Sequence, residues 1–435
     1  MDRGRAPAVI EDGLGPEAAP AQPPAAAGPA AVLLRLYPAL GLPTFRLFWL
    51  GMLPSTLAWQ MAMVATGYAA FVLTDSATML GVVSLAVGLP MLLFSLVGGV
   101  AADRFPRRTV LLLTQSVFAI ATGAVALLSL AGRLSVWHLV VLSLIQGTVV
   151  SFNMPARQAY IAELVGARLL RNAVALNNAG LNFSRIAGPA LAGALLALPA
   201  VGIGGVFLVM TVMYGVVIAC LWRLPASGAE GRRRSEGGWA ELQAGLGYIR
   251  RSPVLVALLA LAVVPLFFGL PYQTLMPVFA ERVFAVGAAG LGVLMTASGL
   301  GALGGALAVA ALANSSRPAV LQLGCGLAFG LSLVAFALAP VFPVAVALLV
   351  VVGFASAAYT ALNNTLLLSN ATPQFYGRVM SVYMLTFAVM PIATLPAAWL
   401  ADHVGGRATI GAGGVVVAAV VAGVAALYPP YRHIR

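Results

Sequence analysis

A short polar stretch, residues 98–110 (GGVAADRFPRRTV), stands between two long apolar runs. It holds one carboxylate, Asp103, and three guanidinium groups, Arg104, Arg107 and Arg108. Because only 8% of the chain is charged, we interpret this stretch as a turn between two apolar segments. From spacing alone, the charges fit two roles equally: a solvated cluster that fixes membrane orientation, or a polar contact between segments.

A second polar group lies inside an apolar run. Asn178, Asn182 and Arg185 are separated by four and three residues, so they share one face of a helix. A guanidinium near the centre of a bilayer costs about 2.5–3.5 kcal/mol on insertion scales, so we expect Arg185 to face the protein interior. Two roles fit the pattern: a structural arginine bonded to carbonyl groups, and an arginine that lines a cavity or takes part in coupling.

Residue patterns typical of enzymes are absent from the sequence. All 24 basic residues are arginine, so there is no Walker A lysine. The HExxH and G-x-S-x-G patterns and clustered metal ligands are also missing. Cys220 and Cys325 lie far apart in apolar runs, which predicts no disulfide framework. We therefore expect no enzyme, no metal site and no bound cofactor.

The composition is that of a membrane protein. The 435 residues are 61% hydrophobic, with a mean hydropathy of +0.99, whereas soluble domains are about half apolar and about a quarter charged. The net charge of +12 could indicate a nucleic-acid partner. However, the charges fall between apolar runs, so membrane topology explains them better. We expect a lipid bilayer as the surroundings and no nucleic acid as a partner.

Twelve apolar runs are long enough to cross a bilayer, which takes about 20 helical residues. Helices are required where a crossing segment faces lipid, because every backbone amide must be paired within the segment. The runs fall at about 47–73, 78–101, 109–131, 136–154, 173–199, 201–222, 254–279, 287–313, 319–339, 343–365, 379–401 and 408–428.

The distribution of arginine predicts the orientation. With the amino terminus in the cytoplasm, twenty arginines fall in cytoplasmic segments and three, Arg133, Arg282 and Arg407, in outer loops. Cytoplasmic loops of membrane proteins carry such an excess of basic residues. We therefore expect both termini to lie in the cytoplasm.

A polar segment, 225–252, divides the crossings into two sets of six. Within it, Trp239, Leu242, Leu246 and Ile249 share one helix face, which predicts an amphipathic helix at the membrane interface. The predicted organisation is a disordered tail (1–42), an amino-terminal bundle (43–224), a cytoplasmic linker (225–252), a carboxy-terminal bundle (253–429) and a short tail (430–435).

The two halves also repeat weakly. Asn153 and Asn363 are 210 positions apart, as are Arg107 and Arg317. Together with the six-and-six division, these matches suggest two parallel repeats about an axis along the membrane normal.

The polar turn resembles the signature between the second and third spans of the major facilitator superfamily. The matching pattern is Gly99-x-x-x-Asp103-Arg104-x-x-Arg107-Arg108, with Pro106 where the signature usually has glycine. The segments 45–51, 154–165, 182–193, 245–253 and 377–383 resemble the bacterial efflux branch that includes enterobactin and macrolide exporters. The resemblance implies an all-α membrane protein of the bacterial plasma membrane, with twelve transmembrane helices in two six-helix pseudo-symmetric halves.

The resemblance also implies a role for the turn. In the family, the position of Asp103 packs against the start of the eleventh span, where a carboxylate is favoured by the positive end of the helix dipole. This contact holds the cytoplasmic ends of the halves together and favours the outward-facing state. The residues implied in the conformational switch are Gly99, Asp103, Arg104, Arg107, Arg108, Gly377 and Arg378.

The fifth span resembles the antiporter motif GxxxGPxxGG of the same superfamily. The matching residues are Ser184, Gly188, Pro189, Ala192 and Gly193, with Ser184 and Ala192 replacing glycines. The motif implies export coupled to ion entry, for which we expect a proton gradient and no cofactor. No Asp or Glu lies in the middle of a span, so the sequence identifies no proton-carrying residue.

Polar residues inside the spans are candidates for a central cavity, although each alone fits hydrogen bonding between helices. As a set they suit a small, amphiphilic and weakly polar substrate. They are Gln60, Gln146, Asn178, Asn182, Arg185, Gln273, Tyr359 and Asn363.

These observations predict a monomeric secondary transporter that exports small amphiphilic molecules by alternating access with proton antiport. A drug, a siderophore or a secondary metabolite would fit as substrate. Two alternatives remain open: a symporter or importer of a small solute, and a membrane scaffold or sensor that transports nothing.

Overall fold

The computed structural model describes residues 37–226, 246–312, 317–428 and residue 431. Within these ranges the chain is almost entirely helical and has no β-strand. The side chain of Asp103 is outside the described part. The predicted tails up to residue 36 and from 432, and the linker residues 227–245 with Trp239 and Leu242, also lie outside it.

The amino-terminal half contains six long helices. The continuous stretch Val136–Leu196 turns at Gly166, whose φ of 67° and ψ of 175° are not helical, so it consists of two helices. We number the helices α1 (Pro43–Thr74), α2 (Ala77–Arg104), α3 (Arg107–Leu130), α4 (136–165), α5 (167–196) and α6 (Gly202–Trp222).

The carboxy-terminal half also contains six. The first, α7 (Pro253–Thr274), includes a π-helical turn at Pro265–Gly269 and is followed by a second π-helical turn at Phe279–Val283. The others are α8 (Gly287–Ala311), α9 (Pro318–Ala337), α10 (Phe342–Ser369), α11 (Tyr376–Val404) and α12 (Gly406–Leu427).

Ten helices in the described ranges are long and apolar enough to cross a membrane. One of these ten is the bent stretch Val136–Leu196, which supplies two crossings, and the 29-residue α11 completes the set of twelve. The predicted fold class of twelve helices in two halves is therefore confirmed.

Two predicted boundaries need correction. The fourth predicted span ends at about residue 154 and the fifth begins at about 173, but the residues between them, 155–172, are helical except at Gly166. They are rich in Ala, Arg and Leu, which favour helix. Order also begins earlier than the predicted tail boundary at residue 42, because Pro38–Gly41 form a 3-10 turn. Its buried Ala39 donates a backbone hydrogen bond of 3.1 Å to Asn172.

The two halves repeat the same close helix contacts. A Cβ atom at Gly147 of α4 would lie 1.9 Å from the carbonyl oxygen of Val87 on α2. A Cβ atom at Gly353 of α10 would lie 2.0 Å from the carbonyl oxygen of Ser298 on α8. Without a side chain at either glycine, backbones approach closely, which is how helices pack tightly in lipid.

The paired asparagines of the repeat occupy matching places. Asn153 on α4 donates a 2.8 Å hydrogen bond to Thr114 on α3. Asn363 on α10 accepts a 2.7 Å hydrogen bond from Gln322 on α9. Both amides are buried, and each joins the third helix of its half to the fourth.

The end of the linker is attached to the carboxy-terminal half. The described part of the linker, 246–250, is helical. The ring of Tyr248 stacks on Phe375 at 4.2 Å, and its hydroxyl accepts a 3.1 Å hydrogen bond from the amide of Thr372. Ile249 is buried whereas Leu246 is exposed. The contacts of Tyr248 and Ile249 therefore hold the end of the linker against the carboxy-terminal half, just before α7 begins.

Candidate functional site

The bundle has two chemically different faces. We call the side that carries the α2–α3 turn (104–108) the arginine-rich face. The opposite side carries the α1–α2 turn and the end of α11, and we call it the arginine-poor face. Two helix pairs connect the halves, α2 with α11 and α5 with α8.

On the arginine-poor face, a carboxylate from one half caps a helix of the other. The Asp402 carboxylate, near the end of α11, accepts hydrogen bonds from the amides of Ala77 (2.8 Å) and Thr78 (2.7 Å), in the first turn of α2. The hydroxyl groups of Ser76 (2.8 Å) and Thr78 (2.7 Å) also donate to it. First-turn amides have no partner within their own helix, and the helix dipole favours an anion there. We call these four bonds the Asp402 cap.

An arginine strengthens this connection. Arg282, after α7, lies 3.0 Å from the Asp75 carboxylate and 3.4 Å from that of Asp402. It also donates to the backbone carbonyl of Asp75, and its guanidinium stands 5.0 Å from the centre of the Phe71 ring. Asp75, at the end of α1, has a φ of 46°, so the turn before α2 is held in a left-handed conformation. Three helices from both halves therefore meet at one charged group.

Helices α2 and α11 touch on this face and separate on the other. A Cβ atom at Gly81 of α2 would lie 2.9 Å from the Cα of Leu395 on α11. Gly99 lies eighteen residues further along α2, and Gly377 lies eighteen residues back along α11. Eighteen residues are five helical turns, so each glycine lies on the same helix face as its partner in the Gly81–Leu395 contact. Among the residues that the structure describes, no group of another helix lies within 4 Å of a Cβ built at either glycine.

The exposure of α2 agrees with this separation. No residue is exposed from 77 to 88, whereas Ser95, which lies 14 residues after Gly81 and on nearly the same helix face, is exposed in the half near the arginine-rich face. The halves are therefore joined at the arginine-poor face and separated by a cleft at the arginine-rich face.

Helices α5 and α8 make the second connection through the predicted antiporter motif. A Cβ atom at Gly193 would lie 2.5 Å from the Cα of Gly292 on α8. A Cβ atom at Gly292 would in turn lie 3.1 Å from the carbonyl oxygen of Pro189. Ala192 is completely buried beside this crossing. The small residues of the motif thus allow two helices from different halves to pack backbone against backbone.

The other end of the motif packs α5 on α1. A Cβ atom at Gly188 would lie 2.4 Å from the Cβ of Gln60, so these helices are also in close contact. Ser184, which replaces a glycine of the motif, is buried and shares a 2.8 Å hydrogen bond with Thr56 of α1. The hydroxyl that departs from the motif therefore has a partner on the neighbouring helix.

From these contacts toward the arginine-rich face, α5 presents a row of side chains to the cleft. Arg171, Asn178, Arg185 and Ala192 follow at intervals of seven residues, about two helical turns, and lie on one side of the helix. Arg171, Asn178 and Arg185 are exposed, whereas Ala192 is completely buried. The row therefore runs from the arginine-rich face to the depth at which the halves close. Asn182, one turn before Arg185, is half-buried.

Polar groups of α7 and α8 lie near this depth. The hydroxyl groups of Tyr272 and Ser298 share a 2.7 Å hydrogen bond, and the amide of Gln273 donates to Tyr272 at 3.4 Å. A Cβ atom at Gly299 of α8 would lie 3.2 Å from the carbonyl oxygen of Arg185, which brings these helices together.

The α2–α3 turn makes its described contacts within its own half. Arg107 forms a 2.6 Å ion pair with Glu163 of α4. Arg108 donates hydrogen bonds to the carbonyl groups of Leu221 (2.9 Å) and Trp222 (2.7 Å) at the end of α6. Arg104 is exposed. These contacts fix the turn on the amino-terminal half.

Two further predicted residues, Arg378 on α11 and Gln146 on α4, make no described contact with the polar groups above. Arg378 stands over the Phe375 ring at 5.1 Å. Gln146 is buried, and its amide nitrogen has no partner among the described residues.

The last two predicted cavity residues belong to the interior of the carboxy-terminal half. The Tyr359 hydroxyl donates to the carbonyl of Leu261 at 2.6 Å. Tyr359 and Asn363 line a small cavity of about 30 Å³ together with Ser356 and Thr360. That is the space of about one water molecule.

The sequence analysis missed the Asp402 cap and its arginine. Asp75, Arg282 and Asp402 were seen only as charges at the ends of spans. The available signal was the position of Asp75 beside Ser76 and Thr78, a polar pair at the start of α2. Three prolines six residues apart, Pro265, Pro271 and Pro277, similarly marked the irregular α7 beside the cleft.

Two six-helix bundles, joined at one face and separated by a polar cleft at the other, define a secondary membrane transporter. The chain belongs to the transmembrane secretion effector family of the major facilitator superfamily, whose family model matches residues 36–431. It is a multi-pass membrane protein.

Two relatives, an exporter and an efflux pump, align with most of the chain. The enterobactin exporter EntS of Shigella dysenteriae serotype 1 is 30% identical over 344 residues, which is 78% of this chain and 80% of that protein. The multidrug efflux pump Tap of Mycolicibacterium fortuitum is 27% identical over 342 residues, 75% of this chain and 82% of that protein.

Solved structures show the same fold. An inward-facing, unoccupied bacterial homologue of the human lysosomal transporter Spinster superposes with a TM-score of 0.68 at 17% identity, covering 90% of this chain and 98% of that one. The nucleoside transporter NupG has a TM-score of 0.69 at 12% identity, covering 89% and 98%.

Proposed function

We propose that this chain exports small amphiphilic molecules from the cytoplasm by alternating access. The observation that carries the proposal is the asymmetric contact between α2 and α11, which touch at Gly81 and are apart at Gly99 and Gly377. With the arginine-rich face in the cytoplasm, as the distribution of arginine predicts, the cleft opens inward and the termini are cytoplasmic. A molecule from the cytoplasm would enter along the exposed row of α5.

In the outward-facing state, the same two helices, α2 and α11, would be in contact at the arginine-rich face instead. The Asp402 cap places a carboxylate of α11 on the first turn of α2. The predicted inner contact reverses these roles, since Asp103 near the end of α2 would approach the first turn of α11 at Gly377. Because Gly99 and Gly377 lie in matching positions, one rocking motion would break the outer contact and make the inner one. We propose that these two contacts alternate.

Export rather than import is supported by two features. The α5–α8 crossing is built from the antiporter-like motif, and the relatives EntS and Tap are an exporter and an efflux pump. A cleft with exposed polar side chains is not needed by a membrane scaffold. We further propose that the chain works as a monomer and that entry of protons drives export, without a cofactor.

Efflux from cells tests the proposal. Cells that produce the chain and cells that lack it are loaded with a panel of fluorescent amphiphiles, and loss of fluorescence is followed with and without a protonophore. We expect faster efflux of at least some compounds, abolished by the protonophore. Equal efflux from both kinds of cell would contradict export. Efflux that continues in the presence of the protonophore would contradict proton coupling but not export.

A further inference from the structure

The cleft contains a positive charge, that of Arg185, which no described carboxylate balances. Among the described residues, no ion pair or side-chain hydrogen bond is made by the Arg185 guanidinium, whereas Arg107 and Arg282 are both paired with carboxylates. The four acidic side chains that the structure describes all lie at helix ends: Asp75, Glu163, Glu281 and Asp402.

Arg185 lies on the side of α5 that faces away from the lipid. Phe183 and Leu191 are exposed on the opposite side of α5, which is therefore the side that faces the bilayer. Arg185 lies in the row with Asn178 and the buried Ala192, on the side that faces the cleft. About eleven residues, some 16 Å of helix, separate it from the outer end of α5. The charge is thus held deep in the cleft, where an anion would be attracted strongly.

Neutral hydrogen-bonding groups lie on the helix segments near Arg185. Asn182 lies one turn away on α5, and the Tyr272–Ser298 hydroxyl pair and Gln273 lie across the cleft on α7 and α8. Such groups can donate to an oxyanion without competing with it for the guanidinium. An arginine that presents a planar pair of donors is suited to carboxylate or phosphate.

We propose that Arg185 binds an oxyanion carried by the transported molecule, so that the substrates are amphiphilic anions such as carboxylates, sulfonates or acidic phenols. This inference rests on the proposed export function and narrows its substrate class. Cations of similar size are disfavoured by the same charge. Arg171, at the mouth of the row, draws the anion in from the cytoplasm.

Matched acid and amide pairs test the charge directly. The probes are dansylglycine with dansylglycinamide, naphthaleneacetate with naphthaleneacetamide, and pyrenebutyrate with pyrenebutyramide. Binding to the purified full-length protein is measured by fluorescence for wild type, Arg185→Gln, Arg185→Lys and the control Arg133→Gln, which removes an exposed arginine on the arginine-poor face.

We expect wild type to bind an acid at least ~10-fold more tightly than its amide, as a charge-assisted hydrogen bond allows. Arg185→Gln should lose this preference while keeping its affinity for the amide, which also shows that the variant is folded. Arg185→Lys should keep most of the preference, and Arg133→Gln all of it. Absence of any acid preference in wild type, or an unchanged preference in Arg185→Gln, would overturn the inference.

Efflux of the same probes separates this inference from the proposed function. Faster efflux of the acids than of the amides, lost in Arg185→Gln, supports both. Acid-selective binding without efflux of any probe supports the anion site and counts against export. Efflux of amides and acids alike, equal in Arg185→Gln, supports export and overturns the anion site.

Discussion

The carboxylate of Asp402 accepts a 2.7 Å hydrogen bond from the backbone amide of Thr78, 324 positions earlier in the chain. The bond joins the end of α11 in one half to the start of α2 in the other. With Arg282 beside it, this contact closes the arginine-poor face of the transporter. It also gives the protein a defined point at which one conformation can be destabilised without touching the cleft.

Removing the Asp402 carboxylate should shift the protein toward the outward-open state. Loss of a helix cap costs about 0.5–2 kcal/mol, so Asp402→Ala should raise the outward-open population roughly 2- to 30-fold. Spin labels at Arg133 and Val341, in a protein with Cys220 and Cys325 replaced by serine, would report the distance between the halves on this face. We expect a larger fraction of Asp402→Ala molecules than of wild-type molecules to show the longer distance between the labels.

Ser135→Ala is the matched control for this change. Ser135 belongs to the capping box of α4, which lies within one half. The variant loses a helix cap but should leave the measured distance unchanged. If both variants gave the wild-type distribution, the Asp402 cap would have no part in closing this face.

A methyl group at Gly193 should prevent tight closure of α5 on α8. Its Cβ atom would lie 2.5 Å from the Cα of Gly292, and overpacking costs about 1–3 kcal/mol. Gly193→Ala should therefore lower efflux roughly fivefold or more. Gly215→Ala on α6 serves as control, because no other group lies within 4 Å of its Cβ position. Normal efflux by Gly193→Ala would show that the crossing tolerates a wider spacing.

Cysteines at Gly99 and Gly377 should cross-link during transport. The proposed outward-facing state brings the two positions together, and a disulfide needs Cα atoms about 4.4–6.8 Å apart. In the Cys220→Ser, Cys325→Ser background, we expect the Gly99→Cys, Gly377→Cys protein to form the bond under mild oxidation and to stop exporting until it is reduced.

The same cross-link tests the predicted role of Asp103. A favourable charge near a helix end is worth about 0.3–1 kcal/mol, so Asp103→Asn should slow cross-linking roughly two- to fivefold and lower efflux, with normal membrane insertion. Arg46→Gln, which removes an exposed charge on the same face, should change neither. Full efflux and cross-linking in Asp103→Asn would remove its assigned role.

Much of this protein follows from local patterns in its sequence. Apolar runs of about 20 residues require membrane-crossing helices, so the twelve helices and the two halves could be predicted. The 3.6-residue period places Asn178 and Arg185 on nearly one side of α5. The glycines of the antiporter-like motif likewise predicted a close helix crossing, although not which helix would be the partner.

The tertiary structure alone decided which ends of the halves meet. Gly81 and Gly99 occupy the same face of α2, yet among the described residues a Cβ at Gly81 would meet α11 within 4 Å and one at Gly99 would not. The partners of Asp402 depend on how two separately folded bundles are placed, and no period or propensity in the sequence records a relation across 324 positions. Helix formation is governed by residues within one or two turns. The contact between the halves is governed by the sum of interactions over both bundles, and a transporter must be able to exchange one such arrangement for another.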